Sequence, residues 1–308
     1  MRLAATDVAD CDILQTNPLI TYREGPYTIR IQRNGATALY SATDGHTSVS
    51  APIRWAFGLG SAGQTYILER NGILYESRVS YYKETSQLDL TIGHAREPRS
   101  SLPQELGRAI SEAELTKCFS CHTSEDMIKG RLILGSVHPG VTCENCHGPG
   151  NDHAVDMEYS DRSNAGRTIL NPGRLAPSDI NDFCGRCHRS TRDVLAANIR
   201  DVRNVRFQPY RLENSRCYDP ADARITCLAC HNPHQNLLTD AGAYDAKCLA
   251  CHMAQDGKRT ARQTAPACKV GTQNCVNCHM PKVDLPGAHF AFTDHYIRIV
   301  HPGEPYPD

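Results

Sequence analysis

The sequence predicts a chain in two parts: a small antiparallel β domain over residues 1–110, then short helices and irregular loops over 111–308 packed around something other than their own side chains. Three observations predict it. Alternating apolar and polar runs joined by Asn-Gly dipeptides occur only in the first third. Six copies of Cys-x-x-Cys-His occur only beyond it, within residues 118–279. The supply of core-forming side chains is thin, with 40% of 308 residues hydrophobic, 6% aromatic and one tryptophan. Charge narrows the function: 33 Lys and Arg against 34 Asp and Glu give a formal net charge of −1. A general nucleic-acid binder carries a basic excess. No run of 18 apolar residues offers a membrane-spanning helix.

In the β domain, Tyr27–Gln32 alternates, Asn34-Gly35 turns and Ala38–Tyr40 resumes. Thr65–Arg70 then leads through Asn71-Gly72 into Ile73–Tyr81. Trp55, between the two hairpins, is expected to anchor their core. His94–Pro103, rich in proline, serine and charge, reads as the link to the second part, and Gln104–Lys117 as a short helix entering the first motif. From there to residue 279, proline and glycine are frequent. Loops of that length need something else to bind them together in a compact domain. The proline-rich tail, Asp284–Asp308, is expected to wrap back over the last motif.

The six motifs are Cys118-Phe-Ser-Cys121-His122, Cys143-Glu-Asn-Cys146-His147, Cys184-Gly-Arg-Cys187-His188, Cys227-Leu-Ala-Cys230-His231, Cys248-Leu-Ala-Cys251-His252 and Cys275-Val-Asn-Cys278-His279. This is the attachment signature of covalent haem c. Two thiols three residues apart, on one helical turn, reach two vinyl groups along one side of a haem, and the next histidine reaches the iron. Zinc sites also use Cys-x-x-Cys pairs, but zinc gives no reason for a histidine after every pair. At the histidine frequency of this chain, six such coincidences have a probability of about 10⁻⁸. Thioredoxin-like redox pairs and a disulfide scaffold fail on the same ground. The cofactors expected are therefore six haem c groups in 162 residues, one per 27. Groups that dense are near neighbours, an arrangement suited to electron hopping. Cys11, Cys217 and Cys268 remain; Cys217 and Cys268 are a candidate disulfide, which leaves Cys11 unpaired.

Six irons with two protein ligands each need six further side chains. Eight histidines remain: His46, His94, His138, His153, His234, His289, His295 and His301. His138 stands five residues before Cys143, and His153 six after His147. His234 follows His231 by three, and His289 and His295 lie just beyond the last motif. These five, with His94, are the expected distal ligands. His46, in an Asp44-Gly45-His46 turn, and His301 are weaker candidates. Met127, Met157, Met253 and Met280 are available, but Met280 directly follows a proximal histidine and cannot reach round to the same iron. Bis-histidine coordination at fairly low potential is the expectation.

Thioether attachment takes place on the outer side of the cytoplasmic membrane, so an exported protein is expected, periplasmic or extracellular. Met1–Asp7 shows no apolar signal region, so export is read from the motifs alone. Twelve propionates, offset by about +1 on each of six oxidised iron–porphyrin centres, would take the net charge from −1 to about −7, which favours solubility.

The stretch Gly140–His153, with Cys-Glu-Asn-Cys-His-Gly-Pro-Gly-Asn-Asp-His, resembles a haem segment of multihaem cytochromes related to hydroxylamine oxidoreductase and cytochrome c nitrite reductase. Cys275–Lys282, followed by His289 and Thr293-Asp294-His295, is similar too. The resemblance covers roughly 118–300 and leaves out the β domain. It implies that His153, His289 and His295 ligate haems other than the one beside them in sequence. The nitrite reductases mark their open catalytic haem with Cys-x-x-Cys-Lys, whereas all six motifs here end in histidine. Hydroxylamine oxidoreductase uses a cross-linked tyrosine; Tyr296 lies in a suitable region but reads better as packing.

The first functional reading is a hexahaem electron carrier that serves redox partner proteins or an extracellular acceptor, with no substrate turnover. Homopolymeric assembly into an extracellular filament is a variant of it. The alternative is a reductase or oxidase of a small nitrogen or sulfur compound with one open-coordinate haem. A haem-bearing sensing module is a third.

Overall fold

The computed structural model describes residues 5–58, 60–97, 99–124, 127–128, 131–134, 137–159, 166–222, 224–252 and 268–307. The chain divides into two compact units, one of residues 1–150 with 286–290 and the other of 151–285 with 291–308. The sheet ends at Ala109, close to the boundary expected at 110, but the unit built on it runs on through the first two motifs.

The first unit is an antiparallel sheet of β1 (Ala5–Asp7), β2 (Leu19–Glu24), β3 (Tyr27–Asn34), β4 (Thr37–Thr43), β5 (Ser48–Phe57), β6 (Gly63–Arg70), β7 (Ile73–Tyr82), β8 (Gln87–Leu90) and β9 (Gly107–Ala109). β2 to β8 follow one another across the sheet, while β1 pairs with β5 and β9 with β7. β2 and β8, the two ends of that order, also lie against each other, so the sheet curls nearly into a barrel. Turn chemistry accounts for the meander. Asn71 and Gly72 both take positive φ, as a type I′ hairpin requires. Glycine supplies the first turn position in Gly25-Pro26 and Gly35-Ala36.

Alternation fills the inside of the curl with Ile29, Ile31, Tyr40, Ala51, Tyr66, Leu68 and Val79, all at most 1% exposed. Along β5, Val49, Ala51 and Ile53 point inward in strict alternation. A shift of register between Ile53 and Trp55 then reverses the parity, so Ala56 is buried while Trp55 and Phe57 are half-buried on the other face. Trp55 therefore stands outside the core that sequence position assigned to it.

One charged group enters the interior. The Arg78 guanidinium, 1% exposed, lies 2.6 Å from Glu24 and 2.9 Å from Glu105, itself buried. Glu105 arrives on a short 3₁₀ turn, Leu102–Leu106, whose carbonyl at Glu105 accepts the Tyr40 hydroxyl at 2.9 Å. The following Gly107, at φ +126°, passes so close to β7 that a Cβ would sit 1.9 Å from the Glu76 carbonyl oxygen. The segment read as a link is thus seated on the sheet, with Arg96 paired to Asp89 and Leu102 packed against the core.

The helix expected over 104–117 gives way to β9, and α2 runs instead over Glu112–His122, after α1 at Asp12–Thr16. Its start is a capping box: Ser111 and Glu114 bond each other's backbone N–H, and Arg108 reaches Glu114 at 2.5 Å. The Ser111 backbone and hydroxyl, then Arg108, hold the exposed Glu114 carboxyl down to about 2. A depressed carboxyl contributes above its unfolded value of 4.5 and loses that contribution as pH falls through about 2. The protection factors of the amides of Ser111 and Glu114, which the box ties, are therefore expected to fall as pH is lowered between those values. Ser111→Ala is expected to cost about 1 kcal/mol at neutral pH; unchanged protection in both cases would refute the cap's role.

Beyond α2 the first unit continues through β10 (Thr123–Ser124), β11 (Met127–Ile128), β12 (Arg131–Leu132), β13 (His138–Pro139) and α3 (Cys143–His147). The second unit holds α4 (Asn151–Tyr159), α5 (Pro177–His188), α6 (Thr191–Ala196), α7 (Gln208–Glu213), α8 (Cys227–Cys230), α9 (Asp245–His252), α10 (Cys275–His279) and the hairpin of β14 (Lys282–Asp284) and β15 (Ala291–Thr293). Among its described residues, one cluster of buried apolar side chains forms: Val194, Phe207 and Tyr210. So small a core cannot hold a unit of this length together by itself.

Candidate functional site

All six Cys-x-x-Cys-His motifs lie on helical turns. Motifs one, three and five close the longer helices α2, α5 and α9, while motifs two, four and six make up the short α3, α8 and α10. His231 alone has left its helix, with extended backbone. None of the twelve motif cysteines is buried, and no disulfide joins any cysteine of the chain, Cys217 and Cys268 included. The pairing considered for those two is not formed. Cys11 is the buried exception; its thiol donates to Gln64 Oε1 at 2.9 Å inside the sheet.

In the first unit, α2 packs by aromatic edges. Phe119, between the cysteines of motif one and fully buried, meets Trp55 and Phe57 with ring centroids 5.1 Å apart in each case, and His122 meets Phe57 at 5.2 Å. Motif two is tied to the chain just after motif one. Asn145 donates to the Thr123 carbonyl at 2.9 Å and accepts the Thr142 N–H at 2.8 Å, with the Ser124 hydroxyl 2.5 Å away. Pairing of Ser124 with His138 sets that candidate ligand two residues from His122 in register, and exposed.

His94 and His289 face carboxylates. His94 Nε2 lies 3.4 Å from Glu76, and His289 Nε2 2.8 Å from Asp89, with the His289 ring 4.8 Å from that of Tyr82. Burial would raise both carboxyls. At Glu76, His94 and Arg108 outweigh it; at Asp89, His289, the Leu90 N–H and Arg96 do the same, so both stay below the ordinary range.

In the second unit, His231 and His295 stand with ring centroids 6.2 Å apart. Burial pushes the His295 imidazole down to about 4, which keeps it in the neutral, metal-binding form at neutral pH. Its Nδ1–H donates to the Thr293 carbonyl at 3.0 Å, leaving Nε2 with its lone pair. His279 does likewise, donating Nδ1–H to the Arg298 carbonyl at 2.9 Å while Arg298 N–H returns to the His279 carbonyl. The tail thus folds over the last motif's histidine. His188 has its Nδ1 3.2 Å from Gln208 Oε1. His153 is half-buried on α4, and His234 is exposed in the loop after α8. His46 is in an exposed turn organised by Asp44, and His301 is exposed near the end of the tail. Of the methionines considered, Met253 lies outside the described residues.

The tail is held by one buried ion cluster. Arg211 on α7 forms a two-pronged pair with Asp294, 2.9 Å on each prong, and both side chains are fully buried. Arg298 adds 2.8 Å to the same carboxylate, and Arg211 also donates to the Pro307 carbonyl. Tyr296 lies within cation–π distance of both arginines, and Tyr306 of Arg211. Neither this cluster nor the wall of Trp55 and Phe57 carries a local sequence signal, since each partner is distant along the chain.

These residues fit a covalent haem. Cysteines at i and i+3 share one helical face, histidines follow them with Nδ1 held by a carbonyl or an amide in motifs three and six, and the second unit shows only a small apolar core among its described residues.

Comparison with known proteins agrees. The Cytochrome c554 and c-prime family matches residues 77–148, the stretch that holds motifs one and two. The multiheme cytochrome MtrA of Shewanella baltica is 27% identical over 177 residues, covering 53% of this chain and 45% of that protein. The high-molecular-weight cytochrome c of Nitratidesulfovibrio vulgaris is 24% identical over 198 residues, covering 53% of this chain and 33% of that one. The chain spans less than half the length of either relative. No solved structure matches. No described helix is long and apolar enough to cross a membrane.

Proposed function

We propose that this chain, related at low identity to multihaem c-type cytochromes, is an exported electron carrier that holds six covalent haem c groups and turns over no substrate. The observation that carries the reading is the repetition of the haem-attachment turn six times along the chain, four of them in a second unit whose described buried apolar side chains are few and cluster only at Val194, Phe207 and Tyr210. When bound, haem supplies one-electron exchange, between neighbouring groups and with a redox partner protein or an extracellular acceptor. The chain's part is to tether and to orient. Twelve cysteines fix the position of the groups through thioethers. His122, His147, His188, His231, His252 and His279 supply the proximal nitrogens, and backbone carbonyls set the ring orientation where the structure offers them, as at His279.

For the opposite faces, the reading assigns His94, His138, His153, His234, His289 and His295. His295 is the best prepared, neutral and with Nε2 available. His94 and His289 would have to exchange a carboxylate for iron.

Low-temperature EPR of the oxidised protein, with a pyridine haemochrome count on the same sample, tests the proposal. Six low-spin haems with no high-spin signal are expected. One high-spin haem that shifts on adding nitrite, hydroxylamine or sulfite would overturn the carrier reading in favour of a reductase or oxidase.

A further inference from the structure

Motifs three and four, and separately motifs five and six, are joined by one repeated device. Three residues before the first cysteine of motif three stands Asn181, and three before that of motif five stands Asp245; no other motif has Asn or Asp there. Each of these side chains reaches the start of the next motif. Asn181, fully buried on α5, holds Oδ1 3.4 Å from the backbone nitrogen of Cys227 and 3.2 Å from its sulfur. Asp245, at the start of α9, accepts the N–H of Asn274 at 2.7 Å and of Cys275 at 2.9 Å.

Helical residues three apart share a face, so each contact sets the start of one motif beside the helical face that carries the first cysteine of the motif before it. The same two parts therefore occur twice: a polar residue three before the cysteine, and the backbone start of the following motif that its side chain reaches. Two independent occurrences argue against chance packing.

We propose that Asn181 and Asp245 are positioning residues, each clasping two consecutive haem-binding motifs into one two-haem module. The proposal rests on the haem-binding reading above. It makes the modules electrostatically unequal, because one clasp is a neutral amide and the other a carboxylate. A carboxylate beside a redox group favours the oxidised form, so the Asp245 module sits at lower potential than it would with an amide.

The test is a spectroelectrochemical titration, with EPR and intact mass, of the full-length holoprotein and of the D245N, N181D and D245A variants. In D245N, which keeps an acceptor oxygen, two of the six midpoint potentials are expected to rise with unchanged EPR. In N181D, two different potentials are expected to fall. D245A is expected to alter the EPR signals of the same two haems that D245N shifts.

The inference is overturned if either charge variant moves all, one or none of the potentials, or if both move the same two. Should a variant lose a haem, peptide mapping decides. Loss at motifs five or six for Asp245, or at three or four for Asn181, supports the clasp, and loss elsewhere refutes it. A wild-type protein that carries no haem would instead defeat the reading on which the clasp rests.

Discussion

Asp294→Ala is expected to destabilise the second unit by about 3–5 kcal/mol, the usual result of leaving one partner of a buried ion pair without the other. Asp294 is fully buried and receives Arg211 through two prongs, Arg298 through a third contact and the Tyr296 N–H. Removing it strands two arginines in a site that has no other carboxylate among the contacts described. The effect reaches past stability, because the neighbouring residues do separate jobs: His295 offers a free Nε2, and the Arg298 carbonyl fixes His279. Chemical denaturation followed by tryptic susceptibility of residues 291–307 measures the loss. A change under 1 kcal/mol would show that the tail is held by something else. The Asp294→Asn variant keeps the shape and the Tyr296 contact, so it separates lost charge from lost packing.

Phe119→Ala is the second large effect, about 3–5 kcal/mol for removing a fully buried aromatic that cannot be replaced by collapse. The ring is gripped edge-on by Trp55 and Phe57, so its loss also removes two aromatic contacts worth about 0.5–1.5 kcal/mol each. A lowered unfolding midpoint is expected, with the cysteines of motif one still able to attach haem, as chemical denaturation and intact mass would read. An unchanged midpoint would mean that Phe119 does not pack there.

What could be read from the sequence was local. Asn71-Gly72 specifies its own hairpin, because two adjacent positive-φ residues are what the turn needs and what that dipeptide tolerates. The haem-attachment turns are equally local, each being a single helical turn. Contacts between distant segments were not legible. Trp55 was placed in the sheet core because it lies between the two hairpins, but the register shift after Ile53 turns it out towards Phe119, 64 positions on. The seating of residues 94–103 was hidden because their proline, serine and charge look the same in a linker as in a strap whose Arg96 finds Asp89. The Arg211–Asp294 pair joins residues 83 apart and leaves no mark in either neighbourhood. Asn181 and Asp245 are an intermediate case: the spacing before Cys184 and Cys248 was visible, but nothing local said what it reached.

The two clasps have a consequence for the order of assembly. Each closes between motifs that follow one another along the chain, over 46 and 30 residues against the 83 of the Arg211–Asp294 pair, so each costs less closure entropy than that pair. The second unit can therefore gather pair by pair, from its N-terminal end, as the polypeptide emerges. One tie cannot form that way. Arg211 stays without its carboxylate until Asp294 arrives 83 residues later, so the ion cluster works as a latch that closes only after all six motifs have been made.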